Sequence, residues 1–102
     1  MTSVTPRALE GVRVLDLSRI LAGPTAAQML GDFGAEVIKV EKPGAGDDSR
    51  RLGGPALKTK DGKPSEFAPM YTCSNRNKKG IAIDIAQPEG QELVRQLAAW
   101  AD

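Results

Sequence analysis

The chain has 102 residues, of which 40% are hydrophobic and 26% are charged, and its net charge is +1. This length allows at most one small domain, and the composition is typical of a soluble globular protein rather than a disordered one. The charge balance argues against a nucleic-acid partner, and no apolar run is long enough to span a membrane. A lone cysteine, Cys73, excludes an internal disulfide framework and suits a reducing cytoplasm. The absence of histidine removes the commonest metal ligand, and no metal site is expected.

The first half of the chain has the pattern of a β-α-β unit over residues 12–41, after a polar leader at 1–10 that lacks the apolar core of a signal peptide. Residues 12–17 and 37–40 are apolar runs typical of strands. Between them, Pro24 suits the first helical position and Gly34 suits a helix stop. The predicted apolar face of this helix consists of Ala26, Ala27, Met29, Leu30 and Phe33. Two strands joined in this way should lie parallel, with a right-handed crossover.

The second half begins with a segment of a different kind. Residues 42–64 hold five glycines, three prolines and nine charged residues without any periodicity, which predicts a mobile loop. A short amphipathic helix is expected within residues 65–74, and residues 81–85 predict a third strand. Pro88 should open a last helix, whose apolar face is formed by Leu93, Val94, Leu97 and Trp100.

Together these elements predict the α/β class, as an incomplete Rossmann-like parallel sheet with the order β-α-β, long loop, short helix, β-α. We expect the strands to be ordered second, first, third or in a near variant. A doubly wound sheet normally continues after such a helix. Residues 1–102 are therefore expected to be the N-terminal part of a larger doubly wound domain.

Positive groups near the predicted strand ends favour a ligand that carries several phosphates. The turn from Leu21 to Thr25 places a helix N-terminus after the first strand, where free N–H groups and the helix dipole attract anions. Lys42 follows the second strand, and Arg76, Lys78 and Lys79 precede the third. A purely structural turn and a solvated charge run would explain these features equally well.

A nicotinamide or flavin dinucleotide is the obvious alternative ligand for a β-α-β unit. Glu41 ends the second strand, where an acid could bind a ribose. The glycine fingerprint of dinucleotide sites is absent, however, and Pro24 removes a backbone donor from the turn. The sequence therefore disfavours this alternative.

Six motifs occur in a characteristic order: LEGVRVLDL (9–17), LAGP (21–24), GDFGAEVIKVE (31–41), PGAGDDSR (43–50), NRNKK (75–79) and DIAQPEG (84–90). In order and spacing they resemble the N-terminal segment of family III CoA-transferases, over residues 9–102. The family includes formyl-CoA transferase, carnitine CoA-transferase and succinyl-CoA-dependent dicarboxylate CoA-transferases, and α-methylacyl-CoA racemase is a close relative.

This resemblance implies an enzyme that transfers CoA between an acyl-CoA thioester and a free carboxylic acid, possibly a dicarboxylate. It implies coenzyme A or acyl-CoA as substrate without a prosthetic group, and an interlocked homodimer at full length; the cytoplasmic location expected from the lone cysteine is compatible with this. The family's nucleophile is an aspartate, which is expected beyond Asp102. No catalytic residue is therefore assigned here, and the 102-residue chain alone is expected to be inactive.

The resemblance carries CoA-contacting positions onto two turns and one strand end. Leu21 and Ala22 would approach the CoA arm, and Lys42 would lie near the nucleotide. The adenine pocket would be formed by Ile83, Asp84, Ile85 and Ala86. Formyl-CoA transferases have glutamine at the position of Leu21, near the acyl end of the substrate, so leucine there argues against formyl or oxalate specificity.

Other acidic and thiol groups have simpler interpretations. Asp47 and Asp48 match a family loop motif, but a surface turn explains them equally well. Asp84 is expected to orient the backbone that leads into the last helix, and Cys73 is expected to be structural.

Two alternatives to CoA transfer remain open at this point. One is acyl-CoA racemisation or epimerisation on the same fold, with a downstream His/Asp pair in place of the aspartate nucleophile. The other is a non-catalytic nucleotide-binding module or a truncated fragment.

Overall fold

Three parallel strands and three α-helices form the regular structure of residues 5–102, the part of the chain that this computed structural model describes. In chain order the elements are β1 (Arg13–Asp16), α1 (Ala22–Asp32), β2 (Glu36–Glu41), a 3₁₀ turn (Asp48–Arg51), α2 (Pro69–Ser74), β3 (Lys78–Ala82) and α3 (Pro88–Trp100). The start of the predicted leader, residues 1–4, lies outside the described residues. The α/β class and the parallel β-α-β unit are confirmed. No helix of the described chain has the length and apolar character needed to cross a membrane.

The strand order is β1-β2-β3, so β2 and not β1 lies at the centre of the sheet. The expected order of second, first, third is wrong. Both crossovers step in the same direction across the sheet, which places α1 and α2 on one face because such connections share one hand. The central place suits β2, since Val37, Lys39 and Val40 are buried whereas most of β3 is exposed.

Alternate residues of each strand face opposite sides of the sheet. Val14 and Val37 are register partners and pack with Ala27 of α1 in the hydrophobic core. On the other side, Arg13 places its guanidinium 5.6 Å from the ring centre of Trp100 in α3. The sheet is therefore covered by α1 and α2 on one face and by α3 on the β1 side of the other.

Small residues, and not the large apolar ones, form the inner face of α1. The buried positions are Pro24, Ala27, Gln28 and Gly31, whereas Met29, Leu30 and Phe33 are exposed. The predicted apolar face is therefore wrong except at Ala27. The helix lies so close to the sheet that a Cβ on Gly31 would be 3.2 Å from the Asn77 carbonyl oxygen. Gln28 is buried because its amide donates to the Cys73 carbonyl and accepts from the Arg76 N–H.

The start of α1 and the position of β3 differ from the prediction. The first helix starts at Ala22, so Pro24 is its third residue and not its first. Its missing N–H still costs nothing there, because the first four N–H groups of a helix have no partner inside it. The third strand spans 78–82 and not 81–85. After it α3 approaches so closely that a Cβ on Gly90 would overlap the Asp84 carbonyl oxygen. Ile83 adds one last bond from its N–H to the Glu41 carbonyl, at 3.0 Å.

Candidate functional site: a crevice at the carboxyl ends of the strands

A crevice of about 660 Å³ opens at the carboxyl ends of the three strands. Its walls come from the turn after β1, the end of β2 with the loop that follows it, and the segment after β3. The lining residues are Leu17, Arg19, Val40, Glu41, Lys42, Ala45, Gly46, Asp47, Asp48, Ile83, Asp84, Ile85 and Ala86. This is the edge of an open parallel sheet at which α/β proteins bind ligands, and the volume lies in the range of small-molecule sites.

The structure brings together five of the seven positions proposed for CoA contact. Lys42 and residues 83–86 line the same crevice, although 41 residues of chain lie between Glu41, the last residue of β2, and Ile83. Leu21 and Ala22 do not line it; they lie exposed at the start of α1. Of the turn after β1, it is Leu17 and Arg19 that reach the crevice.

Arg19 and Lys42 are the two cations on the crevice walls, and both side chains are exposed. Neither forms an ion pair or a side-chain hydrogen bond with any other residue in 5–102. Sequence analysis missed Arg19. The signal was present, because Arg19 follows β1 as Lys42 follows β2, and the ends of parallel strands meet at one edge of a sheet.

The acids of the crevice are mostly occupied by partners within the protein. The exposed carboxylate of Asp48 pairs with Arg51 at 3.0 Å. Asp84 is exposed and accepts from the Ala86 N–H at 3.1 Å, which supports its expected part in shaping the chain before α3. A negatively charged ligand would therefore meet two unpaired cations and one weakly engaged carboxylate.

Both oxygens of the Glu41 carboxylate are occupied by groups that hold the following loop. Arg50 donates to both of them, at 2.8 and 2.9 Å, and the Tyr71 hydroxyl donates to Oε1 at 2.8 Å. The Asp47 N–H donates to Oε2 at 2.8 Å. The hydrogen bonds from Arg50 lower the pKa of Glu41 to about 2, against the opposing effect of burial. Glu41 is thus not free to bind a ribose, which removes the last argument for a dinucleotide site.

The Arg50 guanidinium also lies 3.9 Å from the ring centre of Tyr71, the distance of a cation–π contact. Burial, and then the hydrogen bond to Glu41, raise the pKa of Tyr71 to about 12. The phenol is therefore a permanent donor in this cluster. Its hydrogen bond to Glu41 links α2 to the end of β2.

Asp47 is buried, with 1% of its side chain exposed, and pairs with the equally buried Lys39 at 2.9 Å. The interpretation of Asp47 as part of a surface turn is therefore wrong. The Ser49 N–H and hydroxyl donate to the same carboxylate, which makes Asp47 the cap of the 3₁₀ turn. Burial would raise the pKa of Asp47, but the hydrogen bonds from Lys39 and Ser49 outweigh it and lower the pKa to about 2.

The basic cluster before β3 does not reach the crevice. Its three cations lie at the amino end of β3 and each pairs with an acid: Arg76 with Asp32 at 2.7 Å, Lys78 with Asp16 at 2.8 Å, and Lys79 with Glu36 at 3.0 Å. The expectation that these cations converge on the ligand is wrong, because residues that precede a parallel strand lie at its amino end, whereas Lys42 follows β2 and lies at the carboxyl end.

Among the residues that the structure describes, the crevice holds no side chain prepared for covalent chemistry. Cys73 is exposed on α2, where its thiol contacts the Met70 carbonyl at 3.3 Å, and it does not line the crevice. No group of three or more metal-binding side chains is found in residues 5–102. The crevice as described can bind and orient a ligand.

The sequence of this chain is similar to one segment of several known proteins. The model of CoA-transferase family III matches residues 9–102. The succinyl-CoA:glutarate CoA-transferase of Homo sapiens is 50% identical over 102 residues, which is 100% of this chain and 21% of that protein. The succinate–glutarate CoA-transferase of Agrobacterium fabrum is 50% identical over 94 residues, or 92% of this chain and 23% of that protein.

A solved structure agrees with the sequence comparison. The crystal structure of a CAIB/BAIF family protein from Brucella suis superimposes with a TM-score of 0.83 at 46% identity. It covers 96% of this chain and 25% of its own. The present chain thus spans about a fifth to a quarter of the length of the proteins that it matches.

Proposed function

Because the chain belongs to CoA-transferase family III, we propose that it supplies the CoA-binding crevice of an enzyme that moves CoA from an acyl-CoA thioester to a free carboxylic acid. The observation that carries this proposal is a crevice at the carboxyl ends of parallel strands whose two cations, Arg19 and Lys42, have no partner within residues 5–102. Coenzyme A carries phosphates at its nucleotide end and an uncharged arm, so it needs cations at one side of such a site and apolar surface at another.

The apolar surface is present on two walls of the crevice. Leu17 lies after β1 and is half exposed, and Ile85 lies after β3 and is 56% exposed. These side chains are available to a ligand because no other part of residues 5–102 covers them. Arg19 offers several N–H donors to a phosphate, and Lys42 offers a compact charge. The proposed CoA positions Lys42, Ile83, Asp84, Ile85 and Ala86 share this surface, and Arg19 is added to them; Leu21 and Ala22 would contact the arm from the start of α1.

A dicarboxylate is the proposed acceptor. The support is the similarity to two proteins named for glutarate. The nucleophile is proposed to be an aspartate outside residues 1–102, as the family resemblance implies. The family resemblance further supports a cytoplasmic, interlocked homodimer without a prosthetic group.

The direct test incubates the full-length enzyme with an acyl-CoA and labelled free succinate or glutarate. It measures the label that appears in the corresponding CoA thioester. We expect exchange by the full-length enzyme and none by the 102-residue chain. Asp48→Ala and Asp84→Ala in the full-length enzyme should leave kcat within about tenfold of wild type, because loss of a nucleophile lowers kcat on the order of 10³-fold or more. A loss of that size from either variant would place the nucleophile inside this crevice and contradict the proposal.

A further inference from the structure

Four buried charged side chains lie beneath the turn that connects β1 to α1. They form two ion pairs, each at 2.8–2.9 Å, and each side chain is 1–2% exposed. The members of this buried charge cluster are Asp16, Lys39, Asp47 and Lys78. Burying four charges is expensive unless every one is paired and hydrogen-bonded, so a cluster of this kind calls for an explanation beyond the core.

The cluster is bonded to the backbone of the turn at Ser18. Asp16 accepts from the Ser18 N–H at 2.8 Å and from its hydroxyl. Lys39 donates to the Ser18 carbonyl at 3.1 Å. Both backbone groups of Ser18 are thus held by charges that lie below it. A third anchor lies just inside α1, where Lys78 donates to the Pro24 carbonyl at 2.9 Å.

The cluster holds the turn a second time at Ile20. The Ile20 N–H donates to both oxygens of Asp47, at 3.1 and 3.2 Å. Ile20 has φ = 73°, a left-handed conformation that is a genuine outlier for a β-branched residue. Such strain persists only where the surroundings impose it, and it is concentrated at ligand sites. The bifurcated bond to Asp47 fixes the peptide group that joins Arg19 to this strained residue.

Arg19 is the residue between these two anchored positions. Its neighbours on both sides are bonded to buried charges, while its own side chain is exposed, unpaired within residues 5–102, and lines the crevice. The backbone of Arg19 is therefore fixed although its side chain has no partner. This is the arrangement expected of a residue that is held in place for a ligand, because a preorganised cation loses less freedom on binding.

We propose that Asp47 is a positioning residue that clamps Ile20 in its strained conformation and thereby directs Arg19 into the crevice. This inference rests on the proposed function, in which the Arg19 guanidinium binds a phosphate of CoA. Lys39 has the supporting part, because it keeps the Asp47 carboxylate charged and correctly oriented. Asp47 itself needs no contact with the ligand.

The test is a double-mutant cycle on CoA affinity, measured by titration calorimetry with the full-length enzyme and free CoA. Asp47→Asn keeps the shape of the side chain but removes its charge and one acceptor. Alone, it should weaken CoA binding by about 5- to 10-fold, the value of one charge-assisted bond that is partly lost. In an Arg19→Ala background the same change should weaken binding less than about twofold, since the positioned group is already gone. Asp61→Asn, the same chemical change at an exposed site outside the crevice, should have no effect.

A second variant covers the case in which Asp47→Asn fails to fold. Ile20→Gly leaves Asp47 and Lys39 intact and removes the strain, because glycine adopts both signs of φ, so the native turn becomes easier to form. Asp47→Asn made in this background should still weaken CoA binding relative to Ile20→Gly alone, and it should not do so when Arg19→Ala is also present.

The outcomes separate this inference from the proposed function. Equal losses from Asp47→Asn in both backgrounds would overturn the inference, because Asp47 would then act on the crevice without Arg19, while CoA binding itself would stand. Wild-type CoA affinity in Arg19→Ala would also overturn the inference and would remove one of the two cations that support the proposed function. Absence of CoA binding by the wild-type enzyme would contradict the proposed function as a whole.

Discussion

Residues 42–52 and residues 53–64 form consecutive halves of one connection, and they are held in different ways. Each half contains glycine, proline and several charged residues. The first half is bonded to the sheet, through Asp47 to Lys39 and through Arg50 to Glu41. The second half bonds chiefly to itself and to its own flanks, as in the contacts of Thr59 with Lys63 and of Leu57 with residues 65 and 67.

The difference shows that composition alone does not decide whether a segment is fixed. Glycine and proline occur in both halves, but only the first half has charges that meet buried partners from β2. That half also forms a wall of the crevice, whereas residues 53–64 do not line it.

Loss of Lys39, the buried cation of β2 that holds the first half, should have the largest effect. Lys39→Met leaves the Asp47 carboxylate buried without its charge partner, a change that typically costs about 3–5 kcal/mol. We expect amide hydrogen exchange in residues 17–24 and 43–52 of the full-length enzyme to become at least about 100-fold faster. Lys58→Met in the second half is the matched control and should alter neither segment. Unchanged exchange in Lys39→Met would show that the ion pair does not hold the loop.

Loss of the Glu41 carboxylate should have a smaller effect that depends on pH. Glu41→Gln removes charge-assisted bonds from Arg50 and should cost about 1–3 kcal/mol near neutral pH. The pKa of Glu41 is lowered to about 2 in the folded protein, so its stabilising contribution is complete above the unfolded pKa of about 4 and is lost as the pH falls toward 2.

This sign gives a specific readout for Glu41→Gln. In urea denaturation of the full-length enzyme, the difference between wild type and variant should be largest above about pH 5 and should shrink on the way to about pH 2. Glu92→Gln removes an exposed pair with Arg95 and should change stability by less than about 1 kcal/mol at any pH. A difference for Glu41→Gln that grows with acidification would contradict the account.

Limited proteolysis should separate the two halves of the connection most simply. The mobile-loop prediction for residues 42–64 narrows to 53–64, because Arg50 is engaged with Glu41 and Tyr71 while Lys58 and Lys60 are exposed. Trypsin should cut first after Lys58 or Lys60. A first cut after Arg50, or after Arg95 inside α3, would reverse the inferred order of local stability.

Much of the fold follows from local sequence patterns, and the errors have a common cause. Alternation of apolar residues and the stop at Gly34 were enough to predict a parallel β-α-β unit. The inner face of α1 was not predictable from hydrophobicity, because close packing against the sheet selects Gly31 and Ala27 over Met29 and Phe33. The start of β3 was missed because Lys78 looks like a solvated residue until its buried partner Asp16 is known.

The candidate site shows the same limit. Lys42 could be placed at the strand ends because it directly follows an apolar run. The burial of Asp47 could not be predicted, because it depends on its pair with Lys39, a charged residue in the central strand whose own burial the sequence does not indicate. Pairing between elements, and not local propensity, determines which of these charged loop residues is buried.

The central claim is that the crevice binds CoA through cations that the protein leaves unpaired, and Lys42→Ala tests it most directly. Titration calorimetry of the full-length enzyme with CoA should show about 5- to 150-fold weaker binding for Lys42→Ala, the value of about 1–3 kcal/mol for a charge-assisted contact. The loss should shrink as salt is added, and KM should rise with kcat nearly unchanged. Lys60→Ala, an exposed lysine outside the crevice, should bind CoA as the wild type does. Equal CoA dissociation constants for Lys42→Ala, Lys60→Ala and wild type at low salt would contradict the placement of the nucleotide in this crevice.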